Sequence, residues 1–128
     1  MAKILFIDST HPCLHEMLMR QGFQCDLFYD KPANELKKLI PQYEGIVLRS
    51  KFKITKEIID TAPNLKCIAR VGAGMENIDV SEVEKKCRSF GNSPEGNRDA
   101  VAEHALGMLL AFFNNLMQAN TEVRLGKW

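Results

Sequence analysis

Short apolar runs alternate with stretches of helical periodicity along the first 92 residues of the chain. The apolar runs have the length of β-strands and are KILFID (3–8), QCDLFY (24–29), GIVLRS (45–50), LKCIARV (65–71) and the weaker RSFGN (88–92). Helical spacing of apolar residues lies between them, with Gly22, Pro41 and Pro63 as stops. Strands separated by helices pair in parallel through right-handed crossovers. The pattern predicts an α/β fold, an open doubly wound parallel sheet of about five strands.

The helix between the third and fourth runs is expected to begin at Thr55, and the next one at Asp79 or Ser81, because these residue types cap helices. From about Asp99 to Arg124 the pattern changes to one long helix with a broad apolar face, about 40 Å in length. Such a helix is too long to pack wholly on a small sheet. We expect part of it to meet another chain or domain, with a simple covering helix as the alternative. The predicted division is 1–98 and 99–128.

Composition and charge exclude several classes of protein. The formal net charge is +1 and no basic run is present, which disfavours nucleic acid as a partner. The apolar runs are shorter than a membrane span, and the first residues do not resemble a signal peptide. Four cysteines without zinc spacing indicate reduced thiols in a cytoplasmic protein, and His11 and His15 lack a third ligand for a metal.

The carboxyl ends of parallel strands are where doubly wound sheets bind ligands. Three segments are predicted to gather at that edge: RSK at 49–51, VGAG at 71–74 and NSPEGN at 92–97. A dinucleotide fingerprint would need a third glycine where Asn77 stands, and it normally follows the first strand of its unit. The amides around Ala73 are better suited to a carboxylate, although a simple tight turn is the alternative.

The neighbouring segment carries two cations. Arg49 and Lys51 are alternate residues, which point the same way in an extended chain, and Ser50 between them can donate a hydroxyl. Two cations suit a doubly charged group such as phosphate, which the planar guanidinium of Arg49 could bind through two hydrogen bonds. A solvated surface pair is the alternative interpretation.

Three motifs resemble a known family in order and spacing. LRSKFKIT (48–55), ARVGAGMENID (69–79) and NSPEGNRDAVAEHALGMLLA (92–111) resemble the amino-terminal part of the D-isomer-specific 2-hydroxyacid dehydrogenases, above all members that act on 3-phosphoglycerate. The resemblance covers essentially the whole chain. It implies a flavodoxin-like substrate-binding domain that is interrupted by an NAD-binding domain, and a long helix at 99–125 that crosses between them and carries a homodimer contact.

The resemblance also implies the site residues. The substrate-binding positions are Arg49, Ser50, Lys51, Val71, Gly72, Ala73 and Gly74. The positions that line the cleft near the nicotinamide of NAD are Asn97, Ala100 and Val101. Lys51 replaces an arginine that is common in the phosphoglycerate enzymes, and Glu76 stands where aspartate is frequent.

The family's nucleotide fingerprint, its catalytic arginine, glutamate and histidine, and the segment that completes its first domain are not among the 128 residues. We therefore expect a truncated portion that holds half of a cleft, contains no catalytic residue and is inactive alone. The alternatives are a stand-alone flavodoxin-like or receiver-like module, or a helix-mediated dimerisation module without a ligand. A receiver is disfavoured because its third strand should end in aspartate, whereas this one ends in Arg49 and Ser50.

Overall fold

The computed structural model describes residues 1–87 and 89–127, and it divides into two units. The first unit is Met1–Pro94 and the second, which is helical, begins at Glu95. The strands of the first unit are β1 (Lys3–Phe6), β2 (Gln24–Leu27), β3 (Gly45–Leu48), β4 (Cys67–Arg70) and β5 (Ser89–Gly91). Its helices are α1 (Pro12–Arg20), α2 (Ala33–Leu39), a 3₁₀ turn (Ile40–Gln42), α3 (Lys56–Thr61) and α4 (Val80–Lys86).

The five strands form one parallel sheet in the order β2-β1-β3-β4-β5. This is the flavodoxin-like order, in which the chain reverses direction across the sheet between β1 and β3. The predicted fold class is therefore confirmed. All strands are shorter than the apolar runs that predicted them, and the predicted start of the fifth, Arg88, lies outside the described residues.

The core of this unit lies around the central strands. Every residue of β3 is buried, whereas every residue of β5 is exposed, as expected for an edge strand. Buried aliphatic and aromatic side chains from strands, helices and loops complete the core: Leu5, Ile7, Leu36, Ile40, Tyr43, Ile46, Leu48, Phe52, Ile54, Ile58, Ile59, Leu65, Ile68, Ile78 and Val83. The four cysteines are free; Cys13 is exposed and the other three are half-buried.

The helix starts follow the capping residues. Thr55 occupies the N-cap of α3, although its side chain accepts no capping hydrogen bond. Asp79, not Ser81, caps α4, and its carboxylate accepts a hydrogen bond from the Glu82 amide at 3.4 Å. Both assignments match the preference of polar residues for these positions.

The prediction of one long helix from Asp99 is wrong in two respects. The second unit contains α5 (Glu95–Phe113), which starts four residues earlier, and α6 (Leu116–Arg124), and the two are bent by 58°. The break falls at two consecutive asparagines, where Asn115 adopts a left-handed conformation with φ of 49°. Asparagine tolerates this conformation better than most residues, which explains the break without glycine or proline.

The helical unit exposes most of its apolar side chains. They are distributed around α5 rather than confined to the single broad face that the sequence predicted. The most exposed are Phe112 at 77%, Met117 at 75% and Phe113 at 69%. Within residues 1–87 and 89–127, no single helix is long and apolar enough to cross a membrane, although α5 and α6 pass that test jointly as a bent pair.

Candidate functional site

The loops that follow β3 and β4 are fixed to each other at the carboxyl edge of the sheet. Leu48 and Arg70, the last residues of these strands, are register partners. Further along both loops, Ile54 and Ile78 form a parallel bridge, with hydrogen bonds from the Ile54 amide to the Asn77 carbonyl (2.8 Å) and from the Asp79 amide to the Ile54 carbonyl (2.9 Å). Two of the three predicted segments therefore lie side by side.

Asp8, just beyond β1, organises the first of these loops. Its Oδ2 accepts hydrogen bonds from the backbone amides of Arg49 (2.6 Å) and Lys51 (3.3 Å). A carboxylate that binds two amides two residues apart holds the segment in a tight bend. Residues 49–51 are consequently not extended, and the predicted alternation of their side chains is wrong because it assumed strand geometry.

The two cationic side chains of this loop have different surroundings. The Lys51 ammonium donates a hydrogen bond to the carbonyl of Tyr29, beyond the end of β2. Arg49 is exposed, and its guanidinium makes no hydrogen bond or ion pair among the described residues. Ser50 contributes its carbonyl, which accepts from Asn77 Nδ2 at 2.9 Å, and its side chain is exposed. Arg49 is thus the cation of this loop that is free to meet a ligand.

The glycine loop after β4 presents a row of backbone donors. The Val71 amide donates to the Leu48 carbonyl (2.8 Å), which continues the sheet by one hydrogen bond. Beyond it, the amides of Gly72, Ala73 and Gly74 have no acceptor within residues 1–87 and 89–127. The carbonyls of Gly72 and Ala73 accept hydrogen bonds from the third segment, because the Ser93 amide donates to Gly72 (2.9 Å) and Asn92 Nδ2 donates to Ala73. Hydrogen bonds to its carbonyls therefore fix the loop, whereas the N–H groups of residues 72–74 are available to a ligand.

Arg70 is a cation at this edge that the sequence analysis missed. Its side chain is only 11% exposed, its Nε donates to the Arg49 carbonyl (3.2 Å), and its Nη2 pairs with Glu76 Oε1 (3.3 Å). An arginine that ends a strand directly before a glycine loop was the available signal, since a strand's last residue reaches the loop edge.

The glycine loop does not fit a dinucleotide. Asn77, at the third glycine position, is tied to Ser50, and α4 begins only at Val80. Asn97, Ala100 and Val101, predicted to line the nicotinamide cleft, all lie within α5 in the helical unit, and Ala100 and Val101 are in its second turn rather than at its start. Their role near NAD stays a prediction.

The parallel sheet with a candidate binding site at its carboxyl edge is consistent with the family that the sequence motifs resemble. Residues 4–125 match the family described as D-isomer specific 2-hydroxyacid dehydrogenase, catalytic domain. The chain therefore belongs to this family, which confirms the resemblance of the three motifs.

One relative and two solved structures show how similar this chain is to individual proteins. The D-3-phosphoglycerate dehydrogenase of Synechocystis is 39% identical over 128 residues, which are the whole of this chain and 23% of that protein. A solved protein from Pyrococcus horikoshii superposes with a TM-score of 0.86 at 26% identity, over 100% of this chain and 38% of the other. A 3-phosphoglycerate dehydrogenase from Entamoeba histolytica with NAD⁺ bound gives 0.72 at 29% identity, over 86% and 38%. The chain thus spans about a quarter of the first of these relatives.

Proposed function

We propose that the loops at 49–51 and 71–74 bind the substrate of an NAD-dependent oxidoreductase that acts on a D-2-hydroxy acid, and that the substrate is D-3-phosphoglycerate. The observation that carries the proposal is that these two loops lie side by side, and that among the described residues the amides of 72–74 have no acceptor and the exposed guanidinium of Arg49 has no partner. The choice of substrate is supported by the similarity to the Synechocystis relative, which is a D-3-phosphoglycerate dehydrogenase.

Each end of such a substrate has a matching group. The amides of Gly72, Ala73 and Gly74 would donate to the carboxylate, since consecutive backbone N–H groups favour an anion. The planar guanidinium of Arg49 would bind the phosphate at the other end. Lys51 would join Arg49 by exchanging its hydrogen bond to the Tyr29 carbonyl for one to the phosphate.

The cofactor of the proposed reaction is NAD, which would accept the hydride from the hydroxyl-bearing carbon. Asn97, Ala100 and Val101 are the residues of this chain proposed to line its nicotinamide. The 128 residues contain no G-x-G-x-x-G fingerprint, and the glycine loop does not fit a dinucleotide. We therefore expect the chain by itself to bind the acid without forming NADH.

The phosphate assignment is tested by calorimetric titration of the chain with D-3-phosphoglycerate and with D-glycerate. Arg49→Ala should weaken binding of the phosphorylated acid by about tenfold or more, because a charge-assisted hydrogen bond contributes about 1.5–3 kcal/mol. Binding of D-glycerate should be unchanged. Lys53→Ala, an exposed lysine two residues beyond Lys51, is the charge-matched control. An equal loss for both acids, or for the control, would contradict the assignment.

We also propose that the helical unit buries its apolar side chains against a second copy of the chain, which makes the protein a homodimer. Residues 105–113 of α5 carry no polar side chain, and a helical stretch of this kind is normally buried, whereas Phe112 and Phe113 are more than two-thirds exposed. Light scattering should give twice the mass of one chain. Phe112→Glu combined with Phe113→Glu should halve it, and Met19→Glu, an equally apolar exposed site on α1, should not. A monomeric parent chain would refute this proposal.

A further inference from the structure

The guanidinium of Arg70 lies against the glycine loop. Arg70 joins two segments: its Nε donates to the carbonyl of Arg49, the residue that follows β3, and its Nη2 pairs with Glu76 at 3.3 Å. The Arg70 side chain is 11% exposed and the Glu76 side chain 68% exposed. A guanidinium this deeply placed needs acceptors for its donors, because a buried unpaired charge is costly. Glu76 is its anionic partner among the described residues.

Both glycines of the loop touch this pair. A Cβ at Gly72 would overlap the guanidinium of Arg70, and a Cβ at Gly74 would overlap the carboxylate of Glu76. Gly72 also has φ of 155°, which by itself disfavours other residues. Gly74 has no positive φ, so the constraint at this position is the close approach of the Glu76 carboxylate, which would have to move to admit a Cβ.

We propose that Arg70 and Glu76 are a positioning pair that holds the amides of residues 72–74 toward the ligand, and that the absence of a side chain at Gly74 leaves room for this pair. The carboxylate folds back over Gly74 to reach Arg70, and Arg70 in turn fixes the loop to the end of β3. Donors fixed in advance need no reorganisation when an anion binds, which is the benefit of such support. The consequence for affinity rests on the proposed function, whereas the effect on the loop itself does not.

Substitutions at Gly74 and Glu76 can separate the effect of the negative charge of Glu76 from the effect of its contact with Arg70. Gly74→Ala moves the carboxylate away from Arg70 without changing any charge. Glu76→Gln and Glu76→Ala remove the same charge, but only glutamine retains an oxygen that can accept from Arg70. Glu35→Ala removes the acid of a surface pair with Lys31 at 3.1 Å and is the control for a general loss of one carboxylate.

The first measurement is hydrogen exchange of two hydrogen-bonded groups at the loop, the Arg70 Nε–H and the Ser93 amide that donates to the Gly72 carbonyl, by nuclear magnetic resonance on the ligand-free chain. Glu76→Ala and Gly74→Ala should each accelerate exchange by about tenfold or more, whereas Glu76→Gln and Glu35→Ala should change it little. The double variant Gly74→Ala with Glu76→Ala should exchange no faster than Glu76→Ala alone, because both changes break one contact. Additive effects, or an unchanged Arg70 signal in Glu76→Ala, would overturn the proposal.

The second measurement is affinity for D-3-phosphoglycerate. Gly74→Ala should bind about tenfold more weakly than the parent, and Glu76→Ala about tenfold more weakly than Glu76→Gln. Equal affinities within each charge-matched comparison would overturn the positioning role. If the parent chain itself binds none of this acid, the proposed function fails, and the exchange measurement still decides whether the pair positions the loop.

Discussion

Replacing Asp8 tests how the cationic loop is held. Its Oδ2 accepts from the Arg49 amide at 2.6 Å and from the Lys51 amide at 3.3 Å, and the side chain is half-buried. The shorter bond is charge-assisted and in a partly solvated place, so we assign it about 1.5 kcal/mol, and the longer one about 0.5 kcal/mol. Asp8→Ala should therefore lower the free energy of unfolding of the sheet unit by about 2 kcal/mol.

Asp8→Asn separates the acceptor from its charge. Both hydrogen bonds use one oxygen, which asparagine retains, so this variant should lose only about 1 kcal/mol. The control is Asp60→Ala, whose carboxylate is 59% exposed and lies 3.7 Å from Lys56; an exposed pair of this kind should contribute less than about 0.5 kcal/mol.

The assay is hydrogen exchange of the amides of Ile46 and Val47 as a function of denaturant. These residues lie in the central strand β3, so their slowest exchange reports unfolding of the whole sheet unit rather than of the helical unit. The reasoning would be refuted if Asp8→Ala cost no more than the Asp60 control, or if Asp8→Asn cost as much as Asp8→Ala.

Three further predictions concern stability and pH. Tyr43→Phe should lower the free energy of unfolding by about 1–2 kcal/mol in the same assay, because the buried Tyr43 hydroxyl donates to Asp26 Oδ2 at 2.7 Å; an unchanged value would contradict this. Burial and Asp26 also raise the pKa of Tyr43 well above its usual range, so its absorbance change in an alkaline titration should come late. Hydrogen bonds from Lys56 and Lys85 lower the pKa of Glu82 to about 2, so its contribution to stability is complete above about pH 4.5 and is lost as the pH falls toward 2. Glu82→Gln should therefore destabilise the protein at neutral pH and match the parent near pH 2, and a difference independent of pH would show that the ion pairs play no part.

The sheet was predictable from the sequence because its signal is local. Each strand is an apolar run bounded by polar or turn residues, and parallel pairing follows from the helices between the runs. The caps at Thr55 and Asp79 were equally local. The break at Asn114 and Asn115 was not predicted, because asparagine is permitted within a helix and only the left-handed conformation of Asn115 ends α5 there.

The candidate site was predictable at the level of loops but not of side-chain directions. The sequence correctly brought 49–51 and 71–74 to neighbouring strand ends. It did not show that Asp8 bends the first loop, because the partners are more than forty residues apart. For the same reason it missed the guanidinium of Arg70, whose acceptor is the carbonyl of Arg49, a residue that follows another strand. Long-range hydrogen bonds of this kind leave no periodic trace in a sequence.

The central claim is that the amides of the glycine loop and the guanidinium of Arg49 bind the two ends of one acid. A titration of the isotope-labelled chain with D-3-phosphoglycerate, followed by nuclear magnetic resonance, tests it most directly. The account predicts that the backbone signals of Gly72, Ala73 and Gly74 and the Nε–H signal of Arg49 shift together and saturate at the same ligand concentration. Shifts that are confined to one group, or that saturate at different concentrations, would contradict it.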